Sequence, residues 1–141
     1  MLKKLLILVG FIFLTNCTTN ENLANCIPTL PLNITTSLRN PELLNANVPG
    51  GVAHLTGGNK GILLMNINGT DFMAYDKLCP NGDCEQAMTF EKGIILKCPC
   101  DESEYGVGAN IPGTPQTPGF PCNAIVYRVV KNGEAIRITN F

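Results

Sequence analysis

From Ile27 onward the apolar residues come in short runs cut by glycine, proline and asparagine, and nowhere at the spacing of a helical face. Leu30, Leu32 and Ile34 alternate with Pro31, Asn33 and Thr35. That period of two predicts a half-buried strand, and Pro31, which has no N–H to donate, places it at a sheet edge. Gly61 to Ile67 and Asp71 to Tyr75 flank Asn68-Gly69. The pair predicts a hairpin closed by a type I′ turn, which needs positive φ at both central residues. Ile125 to Val130 and Ala135 to Thr139 flank Asn132-Gly133 in the same way. Between these two hairpins, Met88 to Phe90 and Ile94 to Lys97 flank Glu91-Lys92-Gly93, which predicts a third. Pro49-Gly50-Gly51 and Gly57-Gly58 mark turns, and no Gly-Lys-Ser/Thr follows either to make a phosphate loop. Residues 106–121, with Pro112-Gly113 and Pro118-Gly119, predict a long ordered loop. The expected class is all-β: a small antiparallel sandwich or barrel of short strands, without internal repeats.

The first residues follow a different pattern. Lys3 and Lys4 precede an apolar run from Leu5 to Leu14, too short to cross a bilayer and the length of a signal-peptide core. Leu14-Thr15-Asn16-Cys17 then resembles the bacterial lipobox. The resemblance implies cleavage before Cys17 and acylation of its thiol, and acyl chains at ~0.8 kcal/mol per buried methylene hold a protein on a membrane. Residues 1–16 are therefore expected to be a lipoprotein signal peptide and residues 17–26 the lipidated cysteine with a polar tether. Residues 27–141 are expected to be one β domain in the bacterial cell envelope, facing outside the cytoplasm. An ordinary secretory signal that leaves Cys17 as a thiol is the alternative.

Charge narrows the partners. The whole chain has a formal charge of −1. Without residues 1–16, which hold Lys3 and Lys4, eight basic side chains face eleven acidic ones, a charge of −3. No basic patch exists, so nucleic acid is not an expected partner. The expected partners are the membrane, through the lipid, and an extracytoplasmic protein or ligand.

Seven cysteines occur, at 17, 26, 79, 84, 98, 100 and 122. With Cys17 lipidated, six remain in a compartment where disulfides persist. Six cysteines allow 15 pairings, and the sequence does not choose among them. Cys79, Cys84, Cys98 and Cys100 crowd together along the chain, whereas Cys26 and Cys122 lie outside that group and are natural partners for each other.

The crowded cysteines fall in two boxes, Cys79-Pro80-Asn81-Gly82-Asp83-Cys84 and Cys98-Pro99-Cys100-Asp101-Glu102-Ser103-Glu104-Tyr105, with sixteen residues between Asn81 and Cys98. Their internal and mutual spacing resembles the Rieske [2Fe–2S] domain of the cytochrome-complex kind. That family has Cys-x-His-x-Gly-Cys, about sixteen residues, then Cys-Pro-Cys-His-Gly-Ser-x-Tyr. The resemblance covers residues 50–141, with the strand Asp71 to Asp76 leading in and the glycine/proline loop and final hairpin as the tail. It implies cluster-ligand positions at Cys79 and Cys98 and a loop-tying disulfide Cys84–Cys100. It also implies that Ser103 and Tyr105 are hydrogen-bond donors to the cluster.

Both histidine positions depart from the family: they hold Asn81 and Asp101, and Glu102 replaces the glycine that follows. An amide is a poor iron ligand and a carboxylate a harder one than imidazole. The expectation is a domain without cofactor or metal, in which Cys79 and Cys98 face each other and oxidise. Its role is then structural or binding rather than catalytic. The alternatives are an electron-transfer protein with a [2Fe–2S] cluster on Cys79, Cys98, Asp101 and Asn81, a thiol–disulfide redox protein, and a zinc site on the four close cysteines. Their spacing lacks the Cys-x2-Cys knuckles usual for zinc. The single histidine, His54, reads as a strand-face residue. Ser37 and Ser103 lack a nucleophile motif to pair with it. Asp101, Glu102 and Glu104 read as solvated loop charge. Two N-glycosylation sequons, at Asn33 and Asn68, carry no meaning in a bacterial lipoprotein.

Overall fold

The computed structural model describes residues 26–82 and 84–141. The expected signal peptide, Cys17 and the tether up to residue 25 lie outside the described residues, as does Asp83. Among the described residues no helix is long and apolar enough to cross a membrane.

Among the described residues nine strands form two antiparallel sheets: β1 Asn33–Ser37, β2 Val52–Leu55, β3 Ile62–Asn66, β4 Phe72–Asp76, β5 Thr89–Glu91, β6 Ile95–Lys97, β7 Glu104–Gly106, β8 Val126–Asn132 and β9 Ala135–Thr139. The larger sheet has the order β1-β9-β8-β4-β3-β2, and the smaller is β5-β6-β7. Strand β8 is shared. Its first residues pair with β4 (Ala74 opposite Tyr127), and from Arg128 on it pairs with β9, so the larger sheet curls on itself. Strand β1 is the edge next to β9 and begins at Asn33, just after Pro31. The proline thus ends the lead-in rather than sitting within the strand.

Two cores lie on opposite faces of the β3–β4 hairpin. Ile62, Leu64, Phe72 and Ala74 face the first, with Leu43, Leu55, Tyr127, Ile136 and Ile138. Leu63, Met65 and Tyr75 face the second, with Met88, Leu96, Tyr105, Val107 and the three cysteines Cys79, Cys84 and Cys98. This explains the unbroken apolar run Ile62-Leu63-Leu64-Met65, all of it buried. A strand covered on both faces has no solvent side to alternate with.

Turn chemistry corrects two expectations. Asn68 does not have positive φ; Gly69 alone does, at 98°. Asn68 works through its side chain instead, its Oδ1 accepting from the amides of Thr70 and Asp71 at 3.0 and 2.7 Å. This Asx-type contact replaces the type I′ turn. In the last hairpin Asn132 pairs with Ala135, so the loop is Gly133-Glu134, one residue later than Asn132-Gly133 suggests. Gly133, φ 59°, takes the first central position, as in a type II′ turn. The third hairpin turns through Lys92 and Gly93, both with positive φ.

The all-β class holds, with one short helix beside the strands among the described residues. Pro41–Asn47 forms a 3₁₀ helix, with Asn40 as its N-cap and Pro41 where the missing N–H does no harm. Leu43 and Ala46 plug the first core. Buried Asn66 donates to the Ala46 carbonyl at 2.9 Å and fixes the helix to β3.

Candidate functional site

Both cysteine boxes sit at one end of the second core. Box one leaves β4 through Leu78, whose amide donates to Asp76 Oδ1 at 2.9 Å. It turns at Gly82, whose N–H bonds the Cys79 carbonyl at 3.0 Å, and rejoins the sheet where Met88 N–H meets the Lys77 carbonyl at 2.7 Å. Box two connects β6 to β7 as a tight loop, with Glu102 N–H on the Cys98 carbonyl (3.0 Å) and Cys98 N–H on the Ser103 carbonyl (2.9 Å). Glu102 sits at φ 60°, a left-handed conformation that costs any residue with a Cβ about 1 kcal/mol.

Two disulfides bridge the loops. Cys79 bonds Cys98 with 5.5 Å between Cα atoms, and Cys84 bonds Cys100 with 5.8 Å. A third, Cys26–Cys122, ties the start of the described chain to the segment before β8, with Cα atoms 5.4 Å apart. Cys79 and Cys98 are fully buried, and Cys100 is exposed. Closing the 16-residue separation of Cys84 and Cys100 stabilises the loops by about 3 kcal/mol on the chain-entropy model.

Asn81 and Asp101 meet across the gap between the loops. Asn81 Nδ2 donates to Asp101 Oδ2 at 2.6 Å. Asp101 Oδ1 accepts from the Ser103 hydroxyl at 2.5 Å and the Ser103 amide at 2.9 Å. Ser103 is thus engaged by Asp101 rather than free for a cluster. Tyr105 is fully buried, and its hydroxyl lies near the Ser103 side chain without a well-formed hydrogen bond among the described residues. Burial pushes its phenol up, so it stays protonated.

Burial of the Asp101 carboxylate favours the neutral form, but the Ser103 hydroxyl and amide and the Asn81 amide, all donating to the anion, outweigh it. Its pKa falls below the ordinary 3.8. A carboxylate held low in the folded state stabilises the protein above its unfolded pKa, and that stability is lost as pH falls through the folded one. Stability is therefore expected to drop below about pH 4, and less so in Asp101→Asn. Urea midpoints measured from neutral to acid pH for the two proteins check this, and parallel curves would refute it.

The remaining candidates are dispersed. His54 lies on β2 opposite Leu63, with its ring exposed and its pKa lowered by partial burial and by Lys77. Ser37 is on the edge strand β1, and among the described residues neither it nor Ser103 is hydrogen-bonded to His54. Glu102 pairs with Lys97 at 3.7 Å and Glu104 with Lys92 at 3.2 Å, both at the surface.

The residue that sequence reasoning missed is Asp76. Fully buried at the end of β4, its carboxylate accepts from Asn59 N (2.6 Å), Asn59 Nδ2 (3.0 Å), Lys60 N (3.1 Å), Leu78 N (2.9 Å) and Tyr127 Oη (2.6 Å). Burial, then the bond to Asp76, push the Tyr127 phenol far above the ordinary tyrosine value. The aspartate therefore organises the start of box one, the glycine-rich turn at residues 57–61 and strand β8 together. A lone Asp before a Cys box carries no sequence signal for this, because its five donors come from three separate segments.

A curled antiparallel sheet bearing a three-stranded subdomain with two cysteine loops is the Rieske-like architecture, and the chain has that fold. Among solved structures it is similar to the ferredoxin of carbazole 1,9a-dioxygenase from Nocardioides aromaticivorans IC177, at 16% identity and a TM-score of 0.51, over 79% of this chain and 98% of that one. A second similar structure is the complex of reduced oxygenase and oxidized ferredoxin in carbazole 1,9a-dioxygenase, at 15% identity and a TM-score of 0.46, over 65% of this chain and 82% of that one. At such identities the likeness is one of fold. No protein-family model and no curated protein matches the chain.

The donors present do not fit a Rieske cluster. That group needs two thiolates on one iron and two imidazole nitrogens on the other. Here the two sulfurs are bonded to each other, and the other two positions hold an amide and a carboxylate hydrogen-bonded together.

Proposed function

We propose that this protein is a lipid-anchored envelope protein whose Rieske-like domain works without a cluster, its stapled loops forming a fixed surface that binds an extracytoplasmic partner. The observation that carries this reading is the mutual saturation of the four ligand positions: Cys79 with Cys98, and Asn81 with Asp101. Each donor a metal would need is already engaged by another. Disulfides on either side of that hydrogen bond hold the loop tips, and Gly82, Pro99, Cys100 and Glu102 stand exposed around them. Three disulfides in a small domain suit an oxidising compartment. The basic, apolar and Leu14-Thr15-Asn16-Cys17 segments supply the export and anchoring signals.

Iron, acid-labile sulfide and intact mass, measured on native protein before and after denaturing reduction, test the reading. The expected result is colourless protein without stoichiometric iron, gaining two hydrogens for each of the three disulfides on reduction. Two irons and two sulfides per chain would overturn it in favour of electron transfer with Cys79, Cys98 and Asp101 as ligands. A Cys17→Ala variant is expected to leave the membrane fraction. A processed variant that stays there would refute the anchor.

A further inference from the structure

Three of the four loop sulfurs are closer together than two separate staples require. The Sγ atoms of Cys79, Cys84 and Cys98 all lie within 4.8 Å of one another, and all three residues are buried. Cys84 is bonded outward to Cys100, which is exposed, while Cys79 and Cys98 are sealed from solvent. Thiol–disulfide exchange needs access to sulfur, so an external thiol reaches the outer bond and not the inner one. In the same buried cluster lies Tyr105, whose hydroxyl has the Ser103 side chain nearby, itself turned to Asp101, and no well-formed acceptor among the described residues. A buried donor without acceptor is rare and unfavourable, and a thiolate is an acceptor it lacks while the cysteines are oxidised.

We propose that the four loop cysteines form a thiol–disulfide relay, in which an external dithiol enters at Cys100 and Cys84 carries the exchange inward to the Cys79–Cys98 bond. The relay rests on the reading above, since it needs Cys79 and Cys98 oxidised and not holding a cluster. First, one thiolate of the dithiol attacks Cys100 Sγ. A mixed disulfide forms, the Cys84–Cys100 bond breaks, and Cys84 leaves as a thiolate. Cys84 then attacks one of the two inner sulfurs, forming a bond to it and releasing the other as a thiolate, to which Tyr105 supplies the buried hydrogen bond. The second thiol of the dithiol displaces Cys100, closing the reductant into a cyclic disulfide. The dithiol loses two electrons and two protons. The protein gains both, as thiols on Cys100 and on Cys79 or Cys98, and keeps one disulfide made by Cys84. Where Cys84 attacks Cys98 and releases Cys79, the new bond still bridges the two loops while the exposed tip opens; attack on Cys79 instead leaves the new bond within box one and unties them.

Two experiments on the full chain test this. Cys100→Ser leaves one loop thiol, on Cys84, beside the inner bond. Quenching with N-ethylmaleimide at mildly acid pH and mapping the labelled peptides is expected to find that thiol shared with Cys79 or Cys98. A label confined to Cys84 would overturn the relay. In the unsubstituted protein, one equivalent of dithiothreitol is expected to expose Cys100 together with Cys79 or Cys98. Exposure of Cys84 with Cys100, the inner bond intact, would overturn it without depending on a variant. Iron and sulfide analysis of the same sample separates the two ideas. A stoichiometric cluster overturns the cluster-free reading and the relay together, whereas iron-free protein with label on Cys84 overturns the relay alone.

Discussion

Cys122→Ser is expected to lower the stability of the domain by about 4.5 kcal/mol, the loop-entropy value for a closure of this length. The bond to Cys26 spans 96 residues, and even the shortcut through the inner disulfide leaves most of that loop to close. Among the described residues no other disulfide constrains so much chain. It also pins the segment before β1, where Leu32 is buried and donates its amide to Asn140 Oδ1 at 2.9 Å. A natural domain is stable by only about 5–15 kcal/mol, so the variant should melt far below the parent. Guanidinium unfolding measures the loss. Cys26→Ser should match it, and the double variant should cost no more than either single one, because both remove one bond. An unchanged midpoint would show that the bridge does not constrain the unfolded chain.

Asp76→Ala is expected to cost about 4 kcal/mol, since each buried polar group left without a partner costs roughly 1–3 kcal/mol. It orphans the amides of Asn59, Lys60 and Leu78 and the Tyr127 hydroxyl at once. Tyr127→Phe removes a single donor and leaves the carboxylate four others, so it should cost about 1 kcal/mol. Combined, the two substitutions should cost less than their sum, because the alanine variant no longer needs to satisfy that hydroxyl. Strict additivity in urea unfolding would count against the hub. Hydrogen exchange gives a local check: the amides of residues 57–61 and of Leu78 should lose protection first.

The first effect rests on a cysteine pairing that the sequence suggested, and the second sits where the sequence was least informative. The all-β class was legible because period-2 runs and glycine punctuation have a local physical cause, and the three hairpins lie where that punctuation falls. The two turn corrections have the same kind of cause. An asparagine offers both a tolerance for positive φ and a side-chain acceptor, and only the surrounding geometry decides which is used at Asn68. The 3₁₀ helix escaped notice because seven residues are too few to show a period. At the site, the spacing of the two boxes carried the resemblance to the Rieske domain, and that resemblance marked Asn81 and Asp101 as the changed positions. That these two would bond each other, and that Ser103 would turn to Asp101, follows from side-chain directions that spacing does not encode. Asp76 and the packing of Cys84 against the inner pair depend on long-range approach and left no mark in the chain.

The β3–β4 hairpin has a bearing on inheritance. Since it walls off one core from the other, residues at the loop tips contribute nothing to the packing behind it. Substitutions at 81 and 101 therefore act through the loops they join, as in the acid dependence expected of Asp101, and leave the packing of the first core untouched. Such an architecture lets a lineage exchange what its loops do while the body of the protein passes down unaltered.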